Sequence, residues 1–231
     1  MMHSLISTSD FNALLLSVRL ALITTLILLL IGMPLAYWLA KSKSVYKTII
    51  EAIVTLPIVL PPTVLGFYLL IVMGANGWLG RLWQSLFGTP LAFTFSGLVI
   101  GSVLYSMPFV VRPLQNAFTE LPKWKIESAA TMGAGPIDRF IHVVLPSIKN
   151  GLLTAITLGF AHTLGEFGVV LMIGGNIPGK TQVVSIAIYD HVEQLQFAKA
   201  HILSLILLII AFACLLGLYL FNLNRSNTVL K

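Results

Sequence analysis

His162 and Glu166 stand four residues apart in an apolar stretch, so on a helix they face the same way. Ionisable side chains are costly in apolar surroundings, and such a pair suits a metal ion or a relayed proton. Two residues are too few to define either site, and no Cys/His cluster with zinc spacing accompanies them. A buried pair that packs helices together is the simpler reading, and no metal is expected. Ser102 and Ser106 share another apolar run. With His162 they would make a serine nucleophile and its base, but nothing in the sequence marks them as a dyad. Gly174–Thr181, "GGNIPGKT", matches the spacing of a phosphate-binding loop, G-x-x-x-x-G-K-[ST]. That loop needs a strand before it and a helix after it. Here it follows a long apolar run, and Pro178 removes one backbone N–H from the cradle, so the match is read as chance.

The elements that carry these residues are apolar far beyond what a soluble core can hide. The chain has 231 residues, of which 10% are charged, where a soluble domain has about a quarter. Its mean hydropathy is +0.94. Five runs approach or exceed the ~20 residues a helix needs to cross ~30 Å of hydrocarbon. They are Phe11–Ala40, Ile49–Met73, Phe93–Val111, Ile148–Gly174 and Ile202–Phe221. Unpaired backbone groups are prohibitive in lipid, so these runs are expected to be helices. The first is longer than a span requires, so it should tilt or protrude into water. It is also too long for the core of a signal peptide and lacks a basic start, so it is read as a retained span. The net charge is +6, but the basic residues flank apolar runs rather than forming a patch, which argues against nucleic acid. Cys214 lies alone inside the fifth run as a packing or lipid-facing residue.

Lys and Arg set the expected orientation. The first loop holds Lys41, Lys43 and Lys47, and the third holds Arg112, Lys123, Lys125, Arg139 and Lys149. The tail holds Arg225 and Lys231. The second loop has only Arg81, and in the fourth Lys180 and Lys199 are offset by Asp190 and Glu193. The odd loops and the C-terminus are therefore expected in the cytoplasm and the N-terminus outside. Gln182–Gln194 is too short and polar to span and is read as a helix at the outer surface. Were it to dip into the membrane, the spans would number six. The glycine-punctuated "MGANGWLG" and "MIGGNIPGK" read as outer turns. Arg19 lies about two turns into the first span and can snorkel outward, and Arg112 can reach water at the inner end of the third.

The cytoplasmic segment 120–146 is polar, yet it lies between spans. Pro122 suits a helix start, Gly133 a helix stop, and Pro136 a second short helix. Ala129, Ala130 and Gly133 share one small face that another backbone can approach closely. On the residues alone this is either an ordinary loop with helical turns or a docking helix for a soluble partner. The stretch "ESAATMGAGPIDRFIHVVLP" resembles the "EAA" motif of permease subunits of bacterial ABC importers. The matching positions are Glu127, Ser128, Ala129, Gly133, Val143, Leu145 and Pro146, with Ser128 in place of the usual first Ala. The resemblance implies that Glu127, Ser128, Ala129, Ala130, Gly133, Leu145 and Pro146 belong to coupling helices seated in a cleft of an ATP-binding subunit.

Two further stretches narrow the resemblance. "LPIVLPPTVLGFYLL", Leu56–Leu70, is similar to molybdate permeases, and "TLGEFGVVLMIGGNIPGKTQ", Thr163–Gln182, to molybdate and sulfate permeases alike. The short chain favours the molybdate branch, with tungstate as a near-isostere. A sulfate/thiosulfate permease is the alternative, and a stand-alone ion-coupled transporter a more distant one. The implied protein is an all-α integral membrane protein with the transmembrane domain of a type I ABC importer. It has five spanning helices, or six, plus cytoplasmic coupling helices, in one domain over residues 1–231. The implied partners are a second copy of the chain, a dimer of ATPases holding ATP and Mg, an extracytoplasmic binding protein and the bacterial inner membrane. The chain itself would be no enzyme and carry no cofactor. Pro57, Pro61 and Pro62 each remove a helix hydrogen bond, so the second span should kink or break, either for packing or to line a pathway. The expected pathway and gate residues are Pro61, Pro62, Thr63, Thr163, Gly165, Glu166 and Gly168, because Gly and Pro breaks expose backbone groups to a passing anion.

Overall fold

Three long helices make the centre of the molecule. The computed structural model describes the backbone of residues 7–226 and the side chains of residues 7–221. Helix α1 runs Thr8–Lys41, α5 Phe95–Glu120 and α9 Lys149–Leu164. Membrane helices gain little from apolar burial against each other, so they associate by close packing at small residues. A Cβ added at Gly159 of α9 would stand 2.5 Å from a methyl of Val110 on α5. The core they enclose includes Leu20, Leu28, Val110, Leu114, Phe118 and Ala155, all fully buried.

The remaining elements wrap this centre. They are α2 (Val45–Val59), α3 (Pro62–Met73), α4 (Trp78–Phe87), α6 (Lys123–Thr131), α7 (Pro136–Arg139), α8 (Leu145–Ser147), α10 (Gly168–Gly174), α11 (Val184–Glu193) and α12 (Phe197–Ser226). Phe140–Val144 forms a π-helical turn between α7 and α8. No strand occurs among the described residues. Helices α1, α5 and α12 are long and apolar enough to cross a membrane. Their outward residues, such as Leu26, Leu30, Leu208 and Phe212, are large, apolar and exposed.

Two of the five expected spans are not single straight helices. The second is bent by 114° between α2 and α3. A residue before proline is pushed out of the α region, and Leu60 and Pro61 both precede one. Their ψ angles are 137° and 134°, so the helix stops and restarts at Pro62. At ~1.5 Å per residue neither arm spans ~30 Å alone. The fourth span ends at Leu164 and resumes at Gly168 as α10. The third continues beyond its expected end at Val111 to Glu120, through Pro108 and Pro113. The turn expected over "MGANGWLG" is confined to Gly74–Gly77, and Trp78 already opens α4. The tail positions Asn227 and Lys231 lie outside the described residues.

The expected helix near Gln182–Gln194 is α11, and it is clamped to the start of α1. The backbone N–H of Val184 donates to Ser17 Oγ at 2.7 Å, while that hydroxyl donates to the Ala13 carbonyl at 2.8 Å. His191 Nε2 lies 2.8 Å from Asp10 Oδ1. Removing the buried Ser17 hydroxyl orphans an N–H, which costs about 1–3 kcal/mol. Ser17→Ala should therefore lower the thermal midpoint of the detergent-purified chain, while Thr154→Ala, at an exposed hydroxyl, should leave it in place. Equal midpoints for the two variants would refute the clamp.

Candidate translocation pathway and coupling face

The two helix breaks pack against each other. A Cβ on Gly168 would stand 2.7 Å from Pro62 Cβ, and one on Gly66 2.7 Å from Met172 Cβ. Between the breaks lies a cavity of about 580 Å³. Of the residues expected on the pathway, Pro62, Thr63, Gly165, Glu166 and Gly168 line it. His162 and Tyr105 join them, and no Lys or Arg does. Pro61 stands at the break without lining the cavity, and Thr163 is buried behind it.

His162 and Glu166 do not pair with each other. His162 stacks on Phe109 at 3.8 Å between ring centroids, and its Nδ1 lies 2.9 Å from Ser106 Oγ. Ser106 Oγ also lies 2.9 Å from Thr163 Oγ1, and Thr163 donates to the Gly159 carbonyl at 2.9 Å. One proton assignment makes all three bonds: His162 Nδ1–H donates to Ser106, Ser106 to Thr163, and Thr163 to the carbonyl. This Ser–His contact is thus a structural relay with a fully buried hydroxyl, which no protein substrate can reach. Glu166 follows the end of α9 rather than continuing it. Both its carboxyl oxygens are enclosed without a hydrogen-bond partner among the described residues. The Ser102 hydroxyl is beside it but does not meet hydrogen-bond geometry.

The loop that mimics a phosphate cradle is closed on itself. The Thr181 hydroxyl, fully buried, donates to the Gly174 carbonyl at 2.7 Å. A helix rather than a strand precedes it.

At the other end of the molecule, segment 120–146 stands off the core. Helix α6 has no buried residue. Ile126, Phe140 and Leu145 pack inward on the core beside buried Val144 and Ile148. Trp124, Met132 and Ile137 point outward, exposed by 63%, 87% and 76%. Gly133 sits at φ 87°, its N–H bonded to the Ala130 carbonyl and the N–H of Ala134 to that of Ala129. This is a Schellman stop, which requires the left-handed conformation glycine adopts freely. A Cβ there would meet nothing in the chain. Glu127, Ser128, Ala130 and Pro146 are exposed, and Ala129 and Leu145 are partly so.

The model of the family described as "binding-protein-dependent transport system inner membrane component" matches residues 29–226. The chain belongs to this family. It is 53% identical over 214 residues to the molybdenum transport system permease protein ModB of Azotobacter vinelandii, covering 93% of this chain and 95% of that one. It is 35% identical over 214 residues to the probable sulfate transport system permease protein cysT of Chlorella vulgaris, covering 93% and 80%. Among solved structures, a bacterial ABC transporter involved in the import of the acidic polysaccharide alginate has a chain that superposes with a TM-score of 0.75. That match has 14% identity and covers 95% of this chain and 81% of that one, so it shows the fold alone. The fold is the transmembrane domain of type I ABC importers.

The permease holds one polar cluster that the sequence reading missed. Arg112 is half-buried at an open cavity it lines with Asn116, Glu120 and Thr154, and its guanidinium also turns to α2. Its Nε and Nη2 both donate to Thr55 Oγ1, and its Nη1 donates to Gln115 Oε1 at 3.4 Å. Gln115 Nε2 in turn donates to Glu51, which Lys47 approaches at 3.8 Å. The outward Trp124, Met132 and Ile137 were also missed, although three large apolar residues in a charged, water-side segment are themselves a signal.

The contact of the two breaks makes a sharp prediction. Gly168→Ala must push Pro62 away, whereas a Cβ on Gly165 would be no closer than 3.7 Å to its nearest neighbour. Overpacking of this kind costs about 1–3 kcal/mol. The thermal midpoint of the purified permease should fall for Gly168→Ala and stay near wild type for Gly165→Ala. The reverse order would contradict the packing of α3 on α10.

Proposed function

We propose that this permease imports molybdate, and tungstate equally well, delivered by an extracytoplasmic binding protein. The observation that carries the reading is the 53% identity to a molybdenum permease over nearly the full length of both chains. The sulfate relative is more distant, and the chain covers less of it. Sulfate or thiosulfate import is the second reading. Two copies of the chain would form the pathway about a two-fold axis. A dimer of ATPase subunits would hold ATP and Mg²⁺, and this chain would hold neither cofactor nor metal.

The cavity supports a passage of low affinity. A divalent oxyanion in a low-dielectric passage is strongly disfavoured, yet a deep cationic site would hold it too tightly. Hydroxyls and freed backbone groups at Thr63 and Gly165–Gly168 offer weak, neutral contacts, and the two packed breaks would act as the gate. Pro61 sets the bend, and Thr163 holds the wall from behind.

Trp124, Met132 and Ile137, with Glu127, Ser128, Ala129, Ala130 and Gly133 among them, would enter a cleft of the ATPase. Leu145 and Pro146 would join that face to α9. Exposed apolar residues on a water-side segment support a protein partner there. The basic loops support a cytoplasmic position for this face and an outer N-terminus.

Proteoliposomes holding the permease, its ATPase and its binding protein test the substrate. ATP-dependent uptake of molybdate should be inhibited by tungstate and little affected by sulfate at the same concentration. Sulfate uptake at an equal rate would overturn the assignment. Without the binding protein, the purified complex should show no saturable molybdate binding at micromolar concentrations.

The coupling face has its own test. Met132→Glu and Gly133→Leu should leave insertion intact and reduce ATPase co-purification or uptake by tenfold or so. The first loses about 1–2 kcal/mol of apolar contact, and the second adds bulk to the face and strains the left-handed stop. Thr131→Ala should be milder. On a Cys214→Ser background, an impermeant thiol reagent should label cysteine placed at Pro178 and spare cysteine placed at Ser42. Wild-type uptake by Gly133→Leu would refute the placement of the face, and reversed labelling the orientation.

A further inference from the structure

We propose that the cavity beside Arg19 is a phosphate site that holds the headgroup of an anionic phospholipid in the outer leaflet. It rests on the proposed orientation only for the name of the leaflet. The cavity measures about 640 Å³ and is bordered by α1, the stretch before α5 and the Gly179–Lys180 turn. Arg19, Lys180, Asn12 and Thr94 supply its polar wall, and no carboxylate lines it.

Arg19 stands on the face of α1 that also presents Leu15, Leu22 and Leu26, each exposed by about three fifths. That face is bilayer-facing, yet it carries a permanent cation with five N–H donors. The guanidinium lies over the Phe95 ring at 4.9 Å from its centroid. It has no hydrogen bond or ion pair to any described residue, and neither has the Lys180 ammonium. Two unpartnered cations thus meet in one cavity that opens on an apolar surface.

The height of the cavity identifies its occupant. Between Arg19 and Lys41 the helix has only uncharged residues, Leu20 to Ala40. At ~1.5 Å per residue this stretch measures about 31 Å, the thickness of the hydrocarbon layer at ~30 Å. With Lys41 at one interface, Arg19 falls at the other, at the level of lipid phosphates. Basic pockets between membrane helices bind anionic headgroups on the cytoplasmic side, and the same charge chemistry is available here at the opposite interface. The planar fork of Arg19 suits two phosphate oxygens, Lys180 adds a second charge, and the exposed leucines of α1 offer a track for an acyl chain. A free tetrahedral oxyanion has the same headgroup chemistry but no use for that apolar track.

Native mass spectrometry of the purified full-length chain, titrated with phosphatidylglycerol or phosphatidylcholine, tests the site. Each cation near an anionic lipid is worth about a fivefold change in binding. Wild type should retain phosphatidylglycerol preferentially. Arg19→Gln should lower that retention about fivefold, Lys180→Ala similarly, and the double variant more than tenfold. Lys180 lies on an exposed turn, so its variant reads the site even where Arg19→Gln disturbs insertion. Millimolar phosphate or molybdate should leave the lipid bound. Equal retention of the two lipids by wild type, or unchanged retention in both single variants, would overturn the proposal. Displacement of the lipid by free phosphate or molybdate would assign the cavity to a soluble anion and overturn it as well. Lipid binding is read without transport, so its failure is separable from failure of the molybdate assignment.

Discussion

Backbone groups freed by a helix break cannot be left facing lipid. The permease breaks two helices, at Leu60–Pro61 and at Gly165–Phe167, and places one break over the other. The contact of Gly168 with Pro62 brings α10 against α3 and shields the interrupted backbone with protein. The cavity exists because the two interruptions meet, and the rest of the architecture serves that meeting. Helices α1, α5 and α9 supply a rigid centre through close approaches such as that of Gly159 to Val110. Helix α11, clamped by Ser17, follows the loop that returns the chain from α10.

The same centre reaches toward the water. Helix α5 runs without interruption to Glu120 and hands the chain directly to the segment that carries Trp124 and Met132. That segment is anchored by few side chains, Ile126, Phe140 and Leu145 among them, and leaves its small residues outward. The Schellman stop at Gly133 turns the chain sharply between α6 and α7. Backbone geometry alone therefore calls for glycine at this position, whatever approaches it from outside.

Much of this was legible in the sequence because the signals are local. Proline restricts its predecessor, so Leu60-Pro61-Pro62 announced a break from three adjacent residues. Long apolar runs announced α1, α5 and α12, and Gly165 to Gly168 announced the second break. The cavity lining followed for Pro62, Thr63, Gly165, Glu166 and Gly168, but not for Pro61 or Thr163, since burial depends on which way each chain end turns. Helix α4 was hidden by glycines: Gly74 and Gly77 serve the turn before it, while Gly80 lies inside Trp78–Phe87 and is helical. The partners of Arg112 were not legible, because Thr55 is 57 residues away and no periodicity joins them. Likewise His162 and Glu166 looked paired only if α9 continued, and it stops at Leu164.

The cluster of Arg112, Thr55, Gln115 and Glu51 has a mechanical consequence. It ties α2, the arm before the first break, to α5, the rod that leads to segment 120–146. An apolar interface can slide by small increments, each costing little. A guanidinium with directional partners moves less freely, because an intermediate angle loses its bonds to Thr55 and Gln115 before new ones form. Relative motion of the two helices should therefore proceed by a jump between discrete pairings, with the polar knot acting as a detent. Such a joint resists gradual drift between the two helices and favours two distinct arrangements over a continuum.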